Sequence, residues 1–278
     1  MSLTIEAIKH IQESQTAKAV QEAVNTNTVQ SQLVAVPADI TLQSLEKYQE
    51  HRDRFRGEMN TSSIFEFIDY VKGHGETNQQ CFINEDSMAA VNIFNFGSIH
   101  TPGHCDDKAV VTLKKTAEYK ALCQINGETV SQKTAAEFLE DWGTFVTCID
   151  ENGEVINPVK AIAAVRRITI EANRKSESEQ GNFRTEKSAL ESMSVDTNAG
   201  LPATIRFKCV PYAGLQEYEF DLRFGVLTSS EVPKIVMRIK RFETYPEQFA
   251  QEFSALLKAG FDDHDKAPAI SIGTFKAA

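Results

Sequence analysis

Three consecutive stretches in the last third of the chain place apolar residues at every second position. Ile205, Phe207 and Cys209 alternate with Arg206 and Lys208, and Tyr218, Phe220, Leu222 and Phe224 alternate with Glu219, Asp221 and Arg223. Ile235, Met237 and Ile239 alternate with Val236, Arg238 and Lys240. Successive side chains of a strand point to opposite faces, so each stretch has one face to bury and one that can stay wet. An antiparallel meander satisfies all three together. Between Pro246 and Lys258, Phe249, Phe253, Leu256 and Leu257 fall at helical spacing, a stripe suited to covering the apolar face. The expected core face is Ile205, Phe207, Phe220, Leu222, Ile235 and Ile239, with Phe253 and Leu257 against it. A last strand is expected over residues 269–275.

The preceding part mixes helices and strands. Helical patterns span residues 3–24, with Ile5, Ile8 and Val20 on a diluted stripe, and a helix capped by Thr41 that carries Leu42, Leu45 and Tyr48. Another begins at an Asn60 or Thr61 cap, carries Ile64, Phe65, Phe67, Ile68 and Val71, and closes at Gly73 and Gly75. Further helices are expected around 117–122, over 133–142, and from Asn157 through Ile168 with Pro158 at the first helical position. Strands are expected over 31–36, 81–83, 88–96, 109–113 and 145–149. The polar run 173–181 reads as a linker. The fold class is α+β: a mixed part, 1–175, and a sheet-rich part, 182–278, with the meander covered by a helix. The two parts can also close into one integrated domain.

Charge narrows the function classes. The chain holds 29 Lys and Arg against 39 Asp and Glu, a net charge of −10. Such a chain gains little from long-range attraction to phosphate backbones or anionic lipid, so nucleic acid is not the favoured partner. No apolar run approaches the roughly 20 residues of a membrane span, and the first residues lack a secretory pattern. The expectation is a cytoplasmic protein without membrane contact. Cys81, Cys105, Cys123, Cys148 and Cys209 are scattered and form no CxxC pair, which fits small apolar fillers in a reducing compartment. The common nucleotide, protease and esterase signatures are absent.

Two segments carry site-like chemistry. His100-Thr101-Pro102-Gly103-His104-Cys105-Asp106-Asp107 gathers imidazole and carboxylate groups, and His100, His104 and Asp106 suit a divalent metal. The plainer reading of the same residues is a turn after a strand. Arg52, Arg54, Phe55 and Arg56 suit a phosphate clamp with an aromatic ring to stack a base. The plainer reading there is a basic helix end, with Glu50 and Asp53 neutralising part of it. Glu137, Glu140 and Asp141 read as a solvated helix face, because neighbouring residues diverge by about 100° around the axis. On the wet face of the meander, Arg206, Lys208, Arg238 and Lys240 surround Glu219, Asp221 and Arg223, a pattern explained by cross-strand ion pairs.

Several blocks resemble the YfdQ-like family of temperate-phage and prophage proteins. They are Leu45-Glu46-Lys47-Tyr48, Arg54-Phe55-Arg56-Gly57, residues 61–70, Pro102-Gly103-His104-Cys105-Asp106, and Ala136-Glu137-Phe138-Leu139-Glu140-Asp141-Trp142. The resemblance implies a phage origin among early or accessory genes, near recombination and host-takeover functions, and brings no catalytic residues. The leading expectation is a non-enzymatic accessory protein, without cofactor, in the bacterial cytoplasm. It forms a homo-oligomer and binds an unidentified host or phage protein, such as a host defence component. One alternative is a metal-dependent enzyme built on His100, His104 and Asp106. Another is a single-stranded nucleic-acid binder of the phage recombination region that uses Arg52, Arg54, Phe55 and Arg56.

Overall fold

The computed structural model describes residues 4–25, 46–52, 54–75, 77–168, 200–227, 233–262 and 264–277. These carry six α-helices and two β-sheets, an α+β architecture. Two units are distinguished, Met1–Phe55 and Arg56–Ala278. The first contains helix α1 (Ile5–Asn25) and a single 3-10 turn, Glu46–Tyr48. The strand expected over 31–36, most of the helix expected after Thr41, and the linker 173–181 lie outside the described residues.

In the second unit, strands β1 (Gly57–Thr61), β2 (Gln80–Asn84), β3 (Ala89–Ile93) and β4 (Asp107–Thr112) build most of a mixed sheet. Helix α2 (Ile64–His74) follows β1. The sheet order is β1-β4-β3-β2-β11, in which β11 (Ala269–Ile272) arrives from the far end of the sequence. Its outer pairs are parallel and its inner pairs antiparallel. Next come α3 (Ala117–Ile125), β5 (Thr129–Ser131), α4 (Gln132–Asp141), β6 (Val146–Ile149), β7 (Val155–Ile156) and α5 (Pro158–Arg166). The meander is β8 (Thr204–Cys209), β9 (Tyr218–Leu227) and β10 (Lys234–Ile239), followed by α6 (Tyr245–Phe261). The second sheet is antiparallel throughout, in the order β5-β10-β9-β8-β6-β7.

Local chemistry sets the helix ends. Ser63 caps α2, its hydroxyl accepting from Glu66 N, where the sequence suggested Asn60 or Thr61. Those two residues belong to β1, and the Thr61 hydroxyl accepts from Ser63 N. Gly75 ends α2; a side chain there would run into Gln79 Nε2 and Val71 O, at 2.5 and 2.6 Å from its Cβ. Thr116 and Ser131 cap α3 and α4. Asn157 caps α5 with Pro158 at its start, as expected, but that helix stops at Arg166, short of Ile168.

The period-two pattern resolves as the sequence requires. Ile205, Phe207, Phe220, Leu222, Ile235 and Ile239 are at most 2% exposed, as are Phe253 and Leu257 of α6. Phe249 of α6 meets Tyr218 edge-on at 4.8 Å, while Phe261 at the other end of the helix meets Phe67 of α2 at 6.5 Å. Helix α6 also contacts β2 and β11. It therefore packs on both sheets and joins their apolar faces into one core.

Candidate functional site

The segment between β3 and β4 is a stiff turn. Gly97 takes φ +77°, and a Cβ there would collide with Thr101 O and Gly103 N. Gly97 bridges Pro102, Ser98 N donates to Thr101 O (2.9 Å), Gly103 N donates to Phe96 O (2.9 Å), and the Ser98 and Thr101 hydroxyls bond at 2.8 Å. At the tip, Ile99 is 97% exposed, and His100 beside it is also exposed. His104 is exposed too, whereas Asp106 is half-buried and accepts from Asn95 Nδ2 at 2.8 Å. Among the described residues, no three His, Cys, Asp or Glu side chains are placed to hold a metal ion. The turn thus separates the groups that the sequence set close together.

Behind the turn lies a buried polar row that the sequence did not signal. Asp107, 6% exposed, bonds His74 Nε2 through Oδ2 at 3.1 Å; its Oδ1 has no hydrogen-bond partner among the described residues. Tyr70 stacks on His74 at 5.2 Å and Phe94 meets the ring edge-on at 4.7 Å. Burial, and then the nearby Asp107 charge, push the Tyr70 hydroxyl above its ordinary pKa. On the adjoining strands, Asn92 Nδ2 donates to Gln79 Oε1 (2.8 Å), and Gln79 Nε2 donates to Lys266 O. This chain of amides ties β2 and β3 to the turn that leads into β11.

The other predicted segment is divided. Arg52, Arg54 and Phe55 belong to the first unit and Arg56 to the second. Arg52 lines an open hollow of about 410 Å³ with Gln49, Glu50 and His51. Phe55 is 61% exposed, and Arg54 and Arg56 are half-buried.

A concentration of positive charge lies on the wet face of the second sheet. There Arg206 of β8 pairs with acids of β9 as the sequence suggested, its Nε 2.9 Å from Asp221 Oδ1 and 3.7 Å from Glu219 Oε2, while Lys208 pairs at 3.0 Å with Glu217, which precedes β9 and which the sequence did not single out. One row along the strands, the register sets Thr204, Arg223 and Arg238 directly abreast. Like charges opposite one another across a ladder are destabilising. Lys240 reaches over this row, its Nζ donating to Thr204 Oγ1 at 3.2 Å. Arg241 follows with a left-handed backbone, φ +55°. These residues border a trough of about 740 Å³ whose lining includes Gly127, Gly225 and Val236 and a single acid, Glu243. Arg241 is the member of this group that the sequence did not single out, and Arg223, expected within a pattern of cross-strand ion pairs, faces Arg238 instead. Their signal was present as charge in the alternating stretch, but it depended on the β9–β10 register.

Fold and surface together define an α+β protein of two sheets that share one core, with a stiff turn and a basic trough turned to solvent. The chain belongs to the family described as Uncharacterized conserved protein (DUF2303), which matches residues 4–275. No curated protein and no solved structure matches it.

Proposed function

We propose that the chain is a non-enzymatic accessory protein of a temperate phage or prophage, which self-associates and acts by binding a protein partner in the bacterial cytoplasm. A host defence component is the partner class that best fits such a role. The observation that carries this reading is Ile99, 97% exposed at the tip of a turn held by backbone and hydroxyl hydrogen bonds. A pinned turn loses little conformational freedom on binding, and burying one isoleucine contributes about 1.5–3 kcal/mol. Self-association is supported by α1, which leaves Ile5, Ile8 and Ile11 at 85%, 45% and 47% exposure. The phage assignment rests on the blocks that resemble the YfdQ-like family. The metal-dependent alternative draws no support from two exposed histidines and an Asp106 bonded to Asn95.

A photo-crosslinking residue in place of Ile99 tests the partner reading in lysogenic cells. One dominant adduct is expected, lost when Thr101→Pro breaks the turn. The same adduct from a crosslinker at exposed Lys120, or none from position 99, would refute it. Light scattering tests self-association: an oligomer is expected, weakened when the residues before Asn25 are removed.

A further inference from the structure

The basic trough has no part in the proposed docking of Ile99 and calls for its own explanation. Four cations and one acid line it in a chain whose net charge is −10. Elsewhere on the same sheet face the acids are already engaged: Asp221 and Glu219 by Arg206, Glu217 by Lys208. Arg223 and Arg238, by contrast, stand abreast and exposed, and the side chain of neither forms an ion pair or hydrogen bond with another described residue. Lys240 holds its ammonium group beside Arg223 through Thr204, the residue abreast of Arg223 on the other side. The register therefore sets three cationic residues at neighbouring positions along one trough.

The trough has firm walls. Gly127 N donates to Met237 O at 2.8 Å, and Asn126 Oδ1 accepts from Ile239 N at 2.8 Å, which fixes the 126–127 segment against the end of β10. Gly225 and Val236, abreast on β9 and β10, leave the floor low beside the two guanidinium groups. The volume, about 740 Å³, lies in the range of small-ligand sites.

We infer that this trough binds a phosphate monoester of nucleotide size or smaller, held by Arg223, Arg238 and Lys240. A carboxylate offers one charge and two oxygens, enough for one guanidinium fork. A phosphate monoester carries a charge of about −1.5 to −2 and three acceptor oxygens, which match two forks and an ammonium group. Arg241 adds a fourth cation at the rim, and Glu243 supplies an acceptor for a hydroxyl or amino group on the remainder of the ligand. A long polyanion fits less well, because the chain's overall charge repels it and, among the described residues, no aromatic side chain lines the trough to stack bases.

Calorimetry of the full chain at near-physiological salt decides the matter, with adenosine 5′-monophosphate, ribose 5-phosphate, inorganic phosphate, adenosine and a short oligothymidylate as probes. At least one monophosphate is expected to saturate a single site per chain while adenosine does not. Arg238→Gln is expected to weaken that binding by about tenfold or more, the loss of a charge-assisted bond. Arg238→Lys should recover part of it, and Lys208→Gln, whose partner is Glu217, should leave it unchanged. Thermal melts confirm that each variant is folded. The inference is overturned if no monophosphate saturates, if Arg238→Gln binds like the parent chain, or if the oligonucleotide binds best with a steep salt dependence. None of these outcomes bears on crosslinking at Ile99.

Discussion

Replacing Phe220 by alanine tests the central packing claim. Phe220 is fully buried in β9, and four rings surround it: Tyr245 at 4.7 Å, Tyr119 at 5.4 Å, and Tyr218 and Phe249 at 6.4 Å. Truncating a core phenylalanine costs about 3–5 kcal/mol, and less when neighbours can fall into the space. Here they are restrained. The Tyr218 hydroxyl donates to Glu252 at 2.7 Å and the Tyr245 hydroxyl to Glu219 O at 3.1 Å, while Tyr119 belongs to α3 and Phe249 to α6. The cavity therefore stays open, and the expected loss is about 4–5 kcal/mol. For a unit of this size that corresponds to a fall in Tm of roughly 8–20 °C. Phe224 lies on the same strand but is half-buried, so Phe224→Ala should cost about half as much or less. Thermal and urea denaturation of both variants measure the difference. A fall of less than about 4 °C for Phe220→Ala, or equal losses for the two, would refute the reasoning.

Three further outcomes are expected. In ligand-free protein, Arg238→Gln should raise stability by about 0.2–1 kcal/mol by removing the repulsion from Arg223. The gain should shrink in about 1 M salt, where the Debye length is about 3 Å; a loss at low salt would contradict the abreast pairing. Burial pushes the Cys81 and Cys209 thiols up to about 12 and Cys148 to about 11, so a thiol reagent at pH 8 should miss all three until urea is added. Rapid labelling of Cys81 in the native protein would show the first sheet to be wrongly placed. Burial, then the bond to Glu252, raises the Tyr218 hydroxyl to about 12, above the unfolded value of about 10. Its contribution to stability is fully present below pH of about 10 and is lost as pH rises through about 12; Tyr218→Phe should flatten that fall in alkaline melts.

The parts of the fold that could be read from sequence are those where one face is buried and the other wet. In β8, β9 and β10 that asymmetry imposes alternation, so Phe207, Phe220 and Ile235 announce their side. Strand β1, with the sequence GEMNT, has no such contrast; it is an edge strand held only by β4, and its residues are largely exposed. Strands β5 and β7 are three and two residues long, too short for a period to show. Site chemistry was less legible. The cluster around His100 and His104 looked dense because sequence proximity says nothing of side-chain direction, and the turn at Gly97 leaves both histidines in solvent. His74 and Asp107, by contrast, are 33 positions apart and meet because α2 packs on β4. On the wet face, ion pairing with the acids of β9 was foreseen correctly for Arg206, whereas Lys208 pairs with Glu217 just before the strand. The expectation failed for Arg238, because its neighbour was fixed by how β9 and β10 slide past one another, and no local pattern encodes that register.

The origin of β11 bears on how the chain is made. Ala269–Ile272 lies alongside Gln80–Asn84, with register partners some 190 positions apart, so the first sheet cannot be completed until synthesis has passed Ile272. Until then β2 presents a bare edge, and α6, which seals both apolar faces, does not yet exist. Strand β5 likewise waits for β10, and the β6–β7 hairpin for β8. Such a chain cannot finish one sheet as an independent early product during translation. Closure comes late and involves both sheets, with slow, long-range pairing and an interval of exposed edge in which chaperones or other copies of the chain can intervene.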